Sequence, residues 1–172
     1  PRNLRPVFTN SGCAVIYRRS LLGRTGLLDP RFFAYLEDVD LGFRARIRGL
    51  TNIHCPSAIV FHVGSGTTGA KYTPLKVFCS ARNNLWLRQK NLTLFQKICH
   101  LPLFVLGSFV KYLYFRRHGL HTWYLRGILA GLRHPVLPGR ELSFVSFLRT
   151  EPWILLGTFL YAAQYLRRKL TS

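Results

Sequence analysis

The sequence predicts an α/β chain that gives way to a helical, basic tail. Three observations carry that reading. Short runs rich in β-branched and aromatic residues, bounded by Gly, Pro and Ser, fall on both sides of the stretch Arg31 to Gly49. Within that stretch the apolar residues Leu36, Val39, Phe43, Ile47 and Leu50 recur at steps of 3, 4, 4 and 3, the period of a helix with one buried face. Beyond Asn91 the character changes, and positions 98–110 and 152–166 carry no charge at all. A length of 172 residues with 48% apolar content suits one domain, or one with an appendage, and can bury a core. The boundary falls at residue 91, with 1–91 as the α/β unit and 92–172 as the tail.

In chain order, Val7 to Asn10 and Cys13 to Tyr17 read as strands around Ser11-Gly12. Arg18 to Leu22 reads as a short helix closed by Gly23, and Thr25 to Pro30 as a turn into the aromatic run Phe32, Phe33 and Tyr35. The central helix follows, with Asp40, Arg44 and Arg48 lining a second face in the favourable acid-first i, i+4 order and Gly49 placed to end it. Thr51 to Cys55 and Ala58 to His62 read as strands broken by Pro56, Gly64 to Gly69 as a loop, and Pro74 to Gln89 as a helix.

The chain has 25 basic and 6 acidic residues, a formal charge of +19. Four of the six acids, Asp29, Glu37, Asp38 and Asp40, fall within twelve positions. Glu37 and Asp38 stand at the expected helix start, where backbone N–H groups and the macrodipole favour carboxylates. Acids there suit the dipole without any function. The large rings just upstream instead suggest a walled pocket, in which a carboxylate can be tuned as a base.

The positive charge is spread over the whole chain and points to an anionic partner, either nucleic acid or an anionic membrane. The aromatics concentrate in apolar stretches rather than among the bases, which argues against nucleic acid. The four scattered cysteines, with no CxxC pair, fit reduced thiols rather than a disulfide framework or a zinc site. In the tail, the apolar stretches 98–115 and 152–166 fall short of the roughly 20 residues of a spanning helix, and each precedes a basic cluster, Arg116-Arg117 or Arg167-Arg168-Lys169. Helices lying in the plane of an anionic leaflet, or one tilted span, satisfy both features, with Trp123, Tyr124, Trp153 and Tyr161 as interfacial anchors. The alternative is that both are ordinary core helices.

Two short patterns are rejected. Gly64-x-x-x-x-Gly69-Ala70-Lys71 places its lysine one position late for a P-loop and lacks the following hydroxyl. Asp38-Val39-Asp40 spells DxD, but on a helix residues two apart diverge by roughly 200°, which does not suit a metal clamp. His62 ends an expected strand immediately before the glycine loop, which singles it out among the six histidines.

The run Ser11-Gly12-Cys13-Ala14-Val15-Ile16-Tyr17-Arg18-Arg19, followed by Gly26 through Leu41, resembles family 2 glycosyltransferases, particularly bacterial rhamnosyltransferase-like members. The resemblance continues through Arg44, Arg48-Gly49, Pro56, Val60-Phe61-His62, Gly64-Ser65 and Arg82-Asn83 to Lys90-Asn91, and more weakly through Tyr124 to Leu132. It implies the C-terminal, acceptor-side part of the nucleotide-sugar transferase fold called GT-A, and inverting transfer of a sugar, rhamnose among the candidates, from a nucleotide diphosphate to a saccharide or lipid-linked acceptor. By the same resemblance Asp38 is the catalytic base and His62 assists a divalent metal, Mg or Mn, or the diphosphate. The main metal ligands are expected in an N-terminal half that this stretch does not contain. The opening on Pro1 and the lack of any Met likewise suggest a fragment.

Beside the implied base, Glu37 is the candidate to hydrogen-bond or polarise the acceptor, and Phe33 and Tyr35 are the aromatic candidates for substrate contact. Lys71, Lys76 and Arg82 are candidates for the diphosphate or a lipid phosphate; a solvated basic helix face accounts for them equally well. The expected place of work is the cytoplasmic face of a bacterial inner membrane. A non-catalytic basic module that binds membrane or nucleic acid is the competing class.

Overall fold

The computed structural model describes residues 4–61, 72–139 and 142–170, the last ten of these as helix backbone only. The element order is β1 (Arg5–Val7), α1 (Arg19–Thr25), a 3-10 turn (Pro30–Phe32), α2 (Glu37–Ile47), β2 (Asn52–His54), α3 (Pro74–Asn91), α4 (Leu94–Cys99), α5 (Leu101–Arg117), α6 (His121–Arg133) and α7 (Phe144–Leu170). Helix dominates. Among the described residues the sheet is a single antiparallel pair, β1 with β2, in the register Arg5↔His54, Pro6↔Ile53, Val7↔Asn52. The described residues are thus mostly helical with one small sheet, a lower strand content than the α/β expectation.

Some expected elements shift or vanish. The first strand lies at Arg5–Val7 rather than Val7 to Asn10, and 13–17 and 58–61 form no strand. A β-favouring composition makes a strand only where a partner supplies the ladder bonds. Gly23 lies inside α1, and the helix closes instead at Gly26, whose φ of 78° only glycine adopts readily and whose N–H bonds Leu22 O. The central helix falls where its period places it, from Glu37, and Gly49 past its end has φ 75°. Thr73 caps α3 by accepting from Lys76 N, and Pro74 occupies the first turn, where a missing N–H costs nothing.

The core gathers around α2 and α3. Phe32, Phe43, Trp86, Leu87, Leu92 and Val136 form its main cluster, and Phe32 is completely buried. Burying a side chain of that size contributes roughly 1.5–3 kcal/mol. Helix α6 packs closely on α3: a Cβ added at Gly127 would lie 2.5 Å from Phe78 O and 2.8 Å from Ala81 Cβ. Trp86 Nε1 donates to His134 O at 2.8 Å across the same contact. Helix α7 is tied to α2 by Arg149, which donates to Ile47 O, and to α4 by Gln96 and His100, which both engage Glu151 at 2.8 Å.

The tail differs from its expectation in two places. Tyr124 is buried against α3 in a cluster with Val77 and Ala81, so it is a core residue and not an interfacial anchor. Trp153 is half-buried beneath the Arg46 guanidinium, 4.4 Å from the ring centroid. Trp123 is exposed, and the side chain of Tyr161 lies outside the described residues. Helix α5 has no buried residue at all and therefore is not an ordinary core helix. Among the described residues, no helix is long and apolar enough to cross a membrane, which removes the tilted span there.

Candidate functional site

The four clustered acids divide into two pairs. Asp40 is fully buried and accepts from Arg44 Nε at 2.9 Å, Lys90 Nζ at 2.8 Å and Asn91 Nδ2 at 2.8 Å. Asp29 accepts from Arg31 and, at 2.8 Å, from the same Lys90 ammonium. Lys90 therefore joins two acids eleven positions apart and ties the 3-10 turn and α2 to the end of α3. The Arg31 hydrogen bond, helped by Lys90 and opposed by burial, holds the Asp29 carboxyl well below the usual carboxylate range. These two acids are consumed in holding the fold.

Glu37 and Asp38 are engaged differently. Asp38 Oδ2 accepts from Gly12 N at 2.7 Å, and Oδ1 faces Val39 N in the first turn of α2. Among the described residues, Glu37 Oε2 is shielded from solvent and accepts no hydrogen bond. Two carboxylates thus stand together at a helix N-terminus, one oriented by backbone N–H groups and one with an orphaned oxygen. Buried polar atoms are rarely left unpaired, and a functional site is one reason for an exception. Tyr17 belongs here too: burial, then the charges of Asp38 and Glu37, push its phenol above its ordinary value. The sequence gives no signal for Tyr17 beyond its place in the run Ser11 to Arg19.

The turn that delivers the pair is unusual. Phe33, Tyr35 and Leu36 all have positive φ, at 61°, 71° and 70°. Such residues cost of order 1–3 kcal/mol each and persist only where the surroundings impose them. Asn83 imposes them: its fully buried amide donates to Phe32 O at 2.9 Å, Ala34 O at 2.8 Å and Tyr35 O at 2.7 Å. Arg82 adds Nη2 to Phe32 O at 3.1 Å, and its guanidinium lies 4.2 Å from the Trp86 ring centroid. The clamp holds Phe33 outward, 75% exposed, while Tyr35 is half-buried.

The other candidates are distributed as follows. Arg82 commits Nε and Nη2 to Asn83 and the turn, so its visible part is to brace the site. Lys76 stands in the first turn of α3, six residues before Arg82. Lys71, His62 and the Gly64 to Gly69 loop lie outside the described residues. Asp38 and Asp40 serve different partners and do not form a shared clamp. Among the described residues no group of three or more His, Cys, Asp or Glu side chains is placed to hold a metal, so these residues by themselves do not fit one.

Comparison with known proteins agrees with the resemblance read from the sequence. Over 92 residues the chain is 37% identical to N-acetylglucosaminyl-diphospho-decaprenol L-rhamnosyltransferase of Mycobacterium tuberculosis, in both strain CDC 1551 / Oshkosh and strain ATCC 25618 / H37Rv. The similarity covers 49% of this chain and 30% of each relative, so the chain spans about a third of the length of the curated relatives it matches. No protein-family model matches the chain. No solved structure matches it either.

Proposed function

We propose that this chain is the acceptor-side part of an inverting glycosyltransferase of the GT-A fold and family 2, which moves rhamnose from a nucleotide diphosphate to a lipid-linked N-acetylglucosamine. The observation that carries the reading is the pairing of Glu37 and Asp38 at the start of α2, free of the ion network that absorbs Asp29 and Asp40. The names of the relatives supply donor and acceptor class.

In this reading an acceptor hydroxyl lies against Asp38. The hydroxyl oxygen forms the new bond to the anomeric carbon as the carbon–diphosphate bond breaks on the opposite face, which inverts the configuration. The hydroxyl proton passes to Asp38, a transfer worth ~10²–10⁴ in rate. Glu37 stands beside it to hydrogen-bond or polarise the acceptor, and exposed Phe33 and the Tyr35 ring offer the acceptor an apolar wall. Lys71, Lys76 and His62 remain candidates for the diphosphate side. A divalent ion, Mg or Mn, belongs with the donor-binding half in this scheme, and no step here is routed through it. The exposed apolar residues of α5 and α7, with the charge of +19, support work at the cytoplasmic leaflet of a bacterial membrane.

The test is rhamnosyl transfer by the assembled enzyme from labelled nucleotide diphosphate rhamnose to polyprenyl diphosphate N-acetylglucosamine. Asp38→Asn should lower turnover by roughly 10² or more with unchanged folding. A folded variant that transfers at the parent rate removes Asp38 from the mechanism.

A further inference from the structure

Helices α3 and α5 face each other across an open groove whose chemistry is mixed in a specific way. On α3, Ser80, Asn84 and Arg88 recur at i, i+4 and i+8 and form one polar stripe toward the groove. On α5, Ser108 and Lys111 face them from a helix whose first ten residues carry no charge. Two adjoining cavities, of about 710 and 600 Å³, share Asn84, Leu103, Phe104 and Lys111 as common walls. Each falls in the range of roughly 300–1,000 Å³ typical of ligand sites.

Two features separate this groove from an ordinary solvated helix face. Among the described residues no Asp or Glu lines either cavity, although both a lysine and an arginine reach them. Lys111 and Asn84, at the junction, have no hydrogen-bond or ion-pair partner among the described residues. Arg88 is fixed at the side, its guanidinium 4.4 Å from the Phe104 ring centroid. The remaining walls are mostly hydrocarbon and aromatic, with His100 and Thr158 at one end, and they continue into the exposed outer residues Leu106, Phe109, Val110 and Leu113 of α5.

We propose that this groove binds the phosphate-bearing end of a polyprenyl lipid, with Lys111 and Asn84 on the phosphate and the isoprenoid chain between α3 and α5. The charge is complementary, the polar donors stand where a head group needs them, and the apolar walls open toward the face of α5 that favours a bilayer. Nucleic acid fits poorly, since its phosphates come without hydrocarbon. That this lipid is the sugar acceptor rests on the function proposed above; that the groove takes a lipid phosphate rests on the groove alone.

The experiment uses the full chain in phosphatidylcholine vesicles, with farnesyl phosphate carrying a benzophenone on its terminal isoprene as the probe and no sugar donor present. Photolabel should map to peptides of α3 and α5, and decaprenyl phosphate should compete with it. Lys111→Gln should lower labelling about tenfold, the loss of one charged hydrogen bond, while Lys111→Arg should retain it. The proposal is overturned by label confined to outer helix faces, by no effect of Lys111→Gln, or by equal competition from farnesol. Equal competition from phosphatidylglycerol also overturns it and assigns the charge to the membrane surface. Because no donor is present, the groove can fail while the transfer assay succeeds, and the reverse.

Discussion

Gly12 donates its backbone N–H to Asp38 Oδ2 across 26 positions of sequence, at 2.7 Å, and a Cβ added at Gly12 would lie 3.3 Å from Asp38 Cβ. The orientation of the proposed base is therefore set by a distant loop that approaches closely because it carries no side chain. Gly12→Val should push the carboxylate aside. Gly12 is exposed, so the thermal midpoint should move little. A displacement near 1 Å at a reacting group costs roughly 10²-fold in turnover. Transfer assays and thermal melts on the same variant check this; a large loss of stability with normal turnover would place Gly12 in the fold and not in the site.

Asp40 should behave in the opposite way to its neighbour Asp38. Asp40→Asn leaves Arg44 and Lys90 facing a neutral amide in a buried setting. Breaking a buried pair from one side costs about 3–5 kcal/mol, and the lower end applies because Lys90 keeps Asp29. Denaturant melts of Asp40→Asn and Asp38→Asn measure the contrast. Equal stability of the two variants would contradict the division of the acids.

Asn83→Ala should loosen the turn that holds Phe33 and Tyr35. It strips donors from three carbonyls at a buried position, at about 1–3 kcal/mol for the first group left unpaired. With the clamp gone, the positive-φ residues should relax, so turnover should fall more than stability explains. Turnover measured under conditions where the variant remains folded tests this. A variant with lower stability but full turnover would make the clamp purely structural.

Asp29 gives a pH dependence with a definite sign. Its carboxyl is held below the ordinary value of 3.8, chiefly by Arg31. A depressed folded-state value contributes stability that is fully present above the unfolded value and is lost as pH falls toward the folded one. The wild type should therefore lose stability between about pH 4 and pH 2 more steeply than Asp29→Asn. Parallel acid titrations of the two proteins, followed by circular dichroism, measure the difference; coincident slopes would deny the linkage.

Much of the architecture around the site was legible in the sequence because it depends on local periodicity. The steps of 3 and 4 among Leu36, Val39, Phe43 and Ile47 placed α2, and Thr73-Pro74 marks the start of α3 with a cap and a residue that needs no N–H. The strands were less legible. Cys13 to Tyr17 has β-favouring composition, but a strand needs a neighbour, and the neighbour of β1 lies some 45 positions on, at Asn52 to His54. Helix α5 could not be told from a core helix by its apolar residues alone, since the same composition serves either environment.

The sequence by itself determined that four acids crowd a basic chain, that two of them begin a helix, and that the surrounding motifs resemble sugar transferases. Only the tertiary structure decided what each acid does. Asp29 and Asp40 are neutralised by Lys90, a residue 61 and 50 positions away, while Asp38 turns to Gly12 and Glu37 keeps an oxygen unpaired among the described residues. The reason is electrostatic: a carboxylate's role is set by the charges and donors within a few ångströms of it, and those distances come into being only when the chain folds.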